Sequence, residues 1–361
     1  MTSASSPLAG VALHWIGGLA AASFYVFFRG VKKWSWETYW LAGGVVSWLI
    51  VPAAFALGLT KDLPGVLART PPAALVWSVL FGALWGFGAV TFGLAMRYLG
   101  LSLGMGVILG FCAAFGTLLP PLFHGEFMAI VGQLSGRVVC AGIGICLAGI
   151  GVTSAAGWSK EREMSAESKQ QTVAEFNFVK GMLYALASGV LSAAFVFGLA
   201  AAEPIAQLSV EAGTSPLWAA LPKLVVILAG GFCSNACYCA ILHWRGHTGA
   251  EYGAKTDRAG ERVPLLKNYL LCAAAGLTWY LQFFFYTMGE SKMTSLKFAS
   301  WTLHMASIII FSSVIGLALH EWRGSSGRSR GLLVAGIAVL VAATLVVGYG
   351  NYLAAPTATA H

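Results

Sequence analysis

The chain has 361 residues, of which 58% are hydrophobic and only 10% charged, with a formal net charge of +8 and a mean hydropathy of +0.75. A soluble domain carries roughly a quarter of charged residues, so a water-soluble globular protein is excluded. There is no GxxxxGK[ST] loop and no polar stretch long enough to fold as a nucleotide-binding domain, which excludes an ATP-driven pump.

In chain order, the apolar residues form ten blocks: 7–29, 36–59, 72–97, 100–122, 134–155, 177–202, 216–243, 265–289, 294–319 and 331–353. Each has about the 20 residues needed to cross a hydrocarbon core of about 30 Å. The first lacks a basic leader and a small-residue cleavage site, so it reads as a retained span and not a signal peptide. Pro52 lies inside the second block, where it removes a helical N–H and predicts a kink. The small-residue spacings of Gly82, Gly86 and Gly93, and of Gly100, Gly104, Gly106 and Gly110, predict close helix packing.

The basic residues are unevenly shared between the loops. Arg29, Lys32, Lys33, Arg97, Lys160, Arg162, Arg245, Lys255 and Arg323 fall on one side, while Lys61, Arg69, Arg137 and Lys292 fall on the other. Basic short loops stay cytoplasmic. The surplus charge is thus a topology signal and not a nucleic-acid footprint, and it predicts that both termini are periplasmic and the 157–176 loop cytoplasmic. That polar loop, GWSKEREMSAESKQQTVAEF, divides the blocks five and five. The expected organisation is a first five-helix repeat over 1–156, the connecting loop over 157–176 and a second repeat over 177–361. GGLAAASFYVF at 17–27 is echoed by SGVLSAAFVFG at 188–198, with Gly18 on Gly189 and Phe24 on Phe195. An odd number of helices per repeat inverts the second half, an arrangement common in secondary transporters. The fold expected is an all-α integral membrane protein of ten transmembrane helices in two inverted five-helix repeats. The 244–264 loop has no counterpart in the first half.

The groups that could carry chemistry concentrate in 279–304. Trp279, Gln282, Tyr286 and Glu290 share one helical stripe, and Lys297, Trp301 and His304 recur at i, i+4 and i+7. Polar faces inside a bilayer look onto protein or water. Energy drawn from a proton gradient requires a group that changes charge near working pH, and His304, His14 and Glu290 are the intramembrane candidates. His14 also reads as a core imidazole bonded to a carbonyl, and Glu290 as an interface anchor. Trp85, Trp279 and Trp301, with Tyr25 on the His14 face, could present aromatic rings to a sugar while Gln and Tyr reach its hydroxyls; the same pocket would suit aromatic amino acids or amphipathic drugs. Cys233, Cys237, Cys239 and His243 match no structural zinc spacing, so no metal is expected.

VKKWSWETYW (31–40), GGVVSW (43–48), MRYLGLSLGMG (96–106), WYLQFFFY (279–286) and SWTLHM (300–305) closely resemble the L-rhamnose:proton symporter family, within the drug/metabolite transporter superfamily. The resemblance runs along nearly the whole chain. It implies proton-coupled uptake (symport) of L-rhamnose or a related sugar by alternating access across the bacterial inner membrane, with no enzymatic activity and no cofactor beyond the proton gradient. The implied partners are the sugar, protons and the bilayer. Substrate would be held by Trp279, Tyr280, Gln282, Tyr286, Trp301, Lys297, Trp85 and Tyr25, with His304, His14 and Glu290 coupling the proton. The sequence departs from enteric members at Ala89, Val90, Thr91 and Phe92, at Lys297 where they carry an aspartate, and at Glu290 where they carry a histidine. Lys297 reads either as a salt-bridge or gating residue paired with Glu290 or Glu37, the substrate staying a neutral deoxy-sugar, or as a cavity group binding the carboxylate of a sugar acid or other small anion. A third reading is a non-transporting sensor or metabolite exporter of the same fold.

Overall fold

A computed structural model describes residues 6–99, 101–163, 177–293, 297–320 and 322–354, without the side chains of 96, 97, 101–106, 161 and 178. Gly100, the surroundings of Gly104 and Gly106, and 164–176 of the connecting loop lie outside the described residues. Among those described, regular structure is helical, and one isolated bridge joins Thr256 and Arg262. Among the described residues nine helical segments are long and apolar enough to cross a membrane, and a shorter apolar stretch, Val107–Phe123, lies inside a further helix.

The helices are α1 (Pro7–Phe28), α2 (Trp36–Gly44), a π-turn (Val45–Ile50), α3 (Val51–Leu59), α4 (Leu63–Arg69), α5 (Pro72–Leu99), α6 (Leu101–Phe123), α7 (Phe127–Gly132), α8 (Leu134–Glu163), α9 (Phe178–Ala201), α10 (Glu203–Glu211), α11 (Leu221–Gly246), α12 (Leu265–Lys292), α13 (Ser300–Ala318) and α14 (Gly327–Leu353). The chain packs as two compact units, each drawing on both halves of the sequence. One comprises Met1–Leu19, Thr91–Val196 and Phe285–His361; the other comprises Ala20–Val90 and Phe197–Phe284.

In the first unit α8 and α14 run antiparallel along their whole length. Gly142 faces Val347, Gly149 faces Leu340, Thr153 faces Gly336 and Val139 faces Gly350, so each step along one helix is matched by an equal step back along the other. A Cβ at Gly142 or Gly336 would meet the partner's backbone nitrogen at 3.0 or 2.9 Å, which is why glycine stands there. The expected connecting loop begins as helix, because α8 continues to Glu163 with Lys160 and Arg162 in its last turn, where basic groups suit the helix dipole. Glu163 then closes the pair. Its carboxylate accepts from the Ser326 N–H, the Ser326 hydroxyl and the Ser329 hydroxyl, each at 2.6 Å, at the start of α14.

In the second unit α2, the π-turn and α3 form one apolar segment, Trp36–Leu59. Pro52 cannot donate an N–H, and just before it the ladder widens: the Val51 N–H reaches Val46 O, five residues back. The kink expected at Pro52 is thus a π-turn on its N-terminal side. The 244–264 loop is ordered against the approach to α2. Glu251 accepts from the Ser35 N–H at 2.7 Å and from the Ser35 and Thr38 hydroxyls at 2.9 and 2.7 Å, which caps the N-terminus of α2. Thr248 donates to Glu37 at 2.6 Å and pairs with His243 at 2.8 Å, while Asn268 brackets the Lys32 main chain.

The three bonds on Glu163 hold its carboxyl down from the ordinary 4.5 to about 2. A depressed carboxylate contributes stability that is complete above its unfolded value and is lost as pH falls towards the folded one. Glu163→Gln should therefore lower the melting temperature at pH 7, with the gap to wild type narrowing below about pH 4. Melting curves in detergent across that range check it; a gap that does not change with pH contradicts it.

Candidate functional site

Two clusters stand out, one within each unit. In the first unit, α1, the last turns of α12 and α13 converge on two imidazoles. His14 on α1 and His304 on α13 are both fully buried, with ring centroids 6.3 Å apart. Tyr286, also buried, sets its ring edgewise to both, at 5.3 Å from His14 and 5.4 Å from His304. The helices can approach this closely because of small residues. Gly18 leaves room for Ser307, whose hydroxyl lies 3.0 Å from the carbonyl of His14 and 2.7 Å from that of His304. A Cβ at Gly289 would come within 3.0 Å of His14 Nε2.

The single Ser307 proton can go to either histidine's carbonyl, but neither ring is served. Among the described residues no ring nitrogen of His14 or His304 has a hydrogen-bond partner, although the His14 main chain lies near the His304 ring. Buried polar nitrogens without partners are rare in native proteins and point to water, a ligand or a transferred proton. Of the two sequence readings of His14, the imidazole fixed by a neighbouring carbonyl does not describe this ring.

Trp301 completes the first cluster. Its indole N–H donates to Cys112 O at 2.9 Å, its ring lies 5.6 Å from Phe195, and it sits where Gly116 has no side chain. Thr302 beside it pairs with Thr117 at 2.6 Å. Glu290 is half-buried at the end of the α12 stripe.

Lys297 differs from expectation. It lies in a short 3-10 turn, Lys297–Ala299, and is exposed, whereas Trp301 and His304 are buried on α13. The i, i+4, i+7 spacing defines a face only if the helix already exists at the first residue. Here α13 begins at Ser300, and the lysine before it does not share the burial of Trp301 and His304.

In the second unit, three indoles gather: Trp48 lies 5.7 Å from Trp85 and 5.4 Å from Trp279, and Trp85 lies 5.9 Å from Trp279, all within about 30° of parallel. Trp48 and Trp279 line a cleft of about 360 Å³, open mouth included, together with Trp40, Ser47, Asn235 and the glycines 43, 44 and 276. Asn235 is the polar anchor. Its amide N–H groups donate to Gly86 O at 3.2 Å and Gly231 O at 3.1 Å, and its oxygen accepts from the Trp40 indole at 3.3 Å. Trp48 and Asn235 were not singled out by the sequence. A lone amide in the apolar stretch 224–236, and a tryptophan four residues before an intrahelical proline, were the signals available.

The other expected residues of this unit are less engaged. Gln282 folds back on Trp279 O at 2.9 Å, Tyr280 is buried against Phe55 and Phe284, and Tyr25 is 43% exposed with its hydroxyl 3.4 Å from that of Tyr39. Tyr25 therefore does not share the burial of His14. Cys233 and Cys237 are exposed, Cys239 is buried, and His243 is taken by Thr248 and Tyr252, so these four do not converge.

A family model described as L-rhamnose-proton symport protein (RhaT) matches residues 3–354. The L-rhamnose-proton symporter of Cronobacter sakazakii is 39% identical over 342 residues, covering 94% of this chain and 97% of the relative. Those of Salmonella gallinarum and Shigella dysenteriae are 38% and 37% identical with the same coverage. A crystal structure sharing 16% identity superposes with a TM-score of 0.58 over 97% of this chain and 98% of that one, which shows a common fold.

Because a Cβ at Gly116 would enter the Trp301 indole, Gly116→Val should destabilise the protein by about 1–3 kcal/mol through overpacking and displacement of that ring. A thermal melt in detergent measures this, and an unchanged melting temperature contradicts the packing described.

Proposed function

We propose, from the premise that the chain belongs to the L-rhamnose-proton symport protein family, that it is a multi-pass transporter importing L-rhamnose together with a proton. Transport in this family is not an enzymatic reaction, and the energy comes from the proton gradient. The observation within the molecule that carries the reading is the pair of buried imidazoles, His14 and His304, whose ring nitrogens have no partner among the described residues.

A neutral imidazole offers one donor and one acceptor, and the acceptor is where a proton binds. Two imidazolium charges 6.3 Å apart would repel by about 2–3 kcal/mol at an effective dielectric constant of about 20. The pair therefore suits one exchangeable proton better than two. Tyr286, packed against both rings, and Glu290 one turn beyond it would set the polarity of the route. On the substrate side, Trp279 and Trp85 offer indole faces to the apolar side of a deoxy-sugar. Gln282, bonded to Trp279 O, supports this surface; the Trp301 N–H is already committed to Cys112.

Ten spans in two inverted repeats, placement in the drug/metabolite transporter superfamily, residence in the inner membrane and periplasmic termini complete the proposal. They are supported by the even division of the apolar blocks about 157–176, by Val107–Phe123 within α6 as the remaining apolar helix, and by the one-sided basic loops. The anion alternative rests on Lys297, which lies exposed in the 3-10 turn before α13; rhamnose bound in preference to its aldonic and uronic acids, with Lys297→Gln unchanged for every ligand, would rule it out.

Proteoliposomes loaded at alkaline pH and diluted into acidic medium should accumulate labelled L-rhamnose, and the accumulation should collapse with a protonophore. His14→Gln and His304→Gln should lose gradient-driven accumulation while keeping rhamnose exchange at equilibrium, since binding survives when only coupling is lost. Gradient-driven accumulation that persists in the double variant would overturn the assignment of the proton site. Saturable binding with no flux in wild type would overturn transport itself, in favour of a sensor.

A further inference from the structure

The geometry points to the tryptophan-lined cleft of the second unit as the L-rhamnose site, with Gly44 kept bare to admit the sugar, Trp48 as its stacking platform and Asn235 as a hydroxyl acceptor. This rests on the reading of the chain as a rhamnose symporter and adds residues to it.

Gly44 carries the argument. Glycine in the middle of an apolar helix is unfavourable and calls for a reason. The usual reasons are a left-handed backbone or the close approach of another chain segment. Neither applies: Gly44 has φ −61° and ψ −43°, which any residue adopts, and a Cβ built on it meets nothing within 4 Å. Its neighbours differ. A Cβ at Gly43 would strike the Phe28 ring, and one at Gly276 would reach Gly43 O at 2.6 Å, so those two are explained by packing. Gly44 borders the cleft, and what it leaves empty is space.

The chemistry of the walls suits a six-membered deoxy-sugar, although the cleft as it stands holds little more than a water and has to part to take the ring. Trp40, Trp48 and Trp279 supply indole surface, against which the C–H face and methyl group of a deoxyhexose lose little by leaving water. Asn235 is held by three hydrogen bonds, which fix the amide so that its oxygen is the end beside Trp40. That oxygen accepts one bond and has a second lone pair left for a sugar hydroxyl. Ser47, also at the cleft, has only a 3.4 Å bond to Gly44 O, a hydroxyl easily redirected to a ligand. The π-turn explains how Trp48 comes to be there, since such turns commonly re-aim a side chain at functional positions.

The test is equilibrium binding of labelled L-rhamnose to the purified full chain, with melting temperature followed in parallel. Gly44→Ala should melt higher than wild type, because alanine suits a helix better, yet bind rhamnose several-fold more weakly. Gly44→Val and Trp48→Leu should raise the dissociation constant by about tenfold or more. Gly58, exposed and equally free of neighbours on α3, is the control: Gly58→Ala should gain stability with affinity unchanged. If wild type binds rhamnose and the Gly44 and Trp48 variants bind it within about twofold of wild type, the cleft assignment is overturned and the symport reading stands. If wild type neither binds nor transports rhamnose, both fall. Should Gly44→Val fail to fold, Gly44→Ala alone decides, because a gain in melting temperature with a loss of affinity has no purely structural cause.

Discussion

An imidazole taken out of water leaves two nitrogens that only protein, a bound water, a ligand or a moving proton can serve, and in a membrane-spanning bundle the alternatives are few. The first unit brings two such rings together and serves neither, while satisfying nearly everything around them. Ser307 reaches the carbonyls of His14 and His304, Thr302 pairs with Thr117, and the Trp301 N–H is spent on Cys112. Polar satisfaction of the surroundings fixes α1 and α13 in place, with Gly18 and Gly116 allowing the contact. The unsatisfied ring nitrogens, with the Trp15 N–H and the Ser300 hydroxyl near them, then stand out among the described residues, and on the proposed reading the imidazoles take the proton.

The second unit handles its polar groups in the opposite way. Its cleft is walled by indoles, and its one amide is immobilised by three hydrogen bonds. On the proposed assignment, aromatic rings and a fixed acceptor in one unit would take the sugar and the imidazole pair in the other would take the proton, two different kinds of chemistry. The ordered 244–264 segment, tied to α2 through Glu251 and Thr248, adds a brace to the helix that leads into Trp40, Gly44 and Trp48.

Composition and block length read the helical membrane character directly, because the cost of polar groups in hydrocarbon leaves long apolar runs that no other fold uses. His14 and His304 were legible for the same reason: a titratable group in such a run is conspicuous. The exposure of Lys297 was not legible, because periodicity presumes a helix and three residues of 3-10 turn before Ser300 are invisible to it. Trp48 and Asn235 were overlooked because their importance depends on a π-turn and on a contact between α5 and α11, both tertiary facts. Tryptophan is common in this chain, with 13 of them, so residue type alone could not separate Trp48 from the others. The antiparallel fit of α8 and α14 lay in the glycine spacings, yet only structure shows which glycines face one another.

The central claim is that rhamnose and one proton bind to the same molecule, with the proton on the His14–His304 pair. Proton uptake on adding L-rhamnose to the detergent-solubilised protein in weakly buffered solution, followed with a pH indicator, tests it most directly. Wild type should take up close to one proton per rhamnose bound, and the protein lacking both imidazoles should bind the sugar without a pH change. Equal proton uptake by the two proteins would contradict the account.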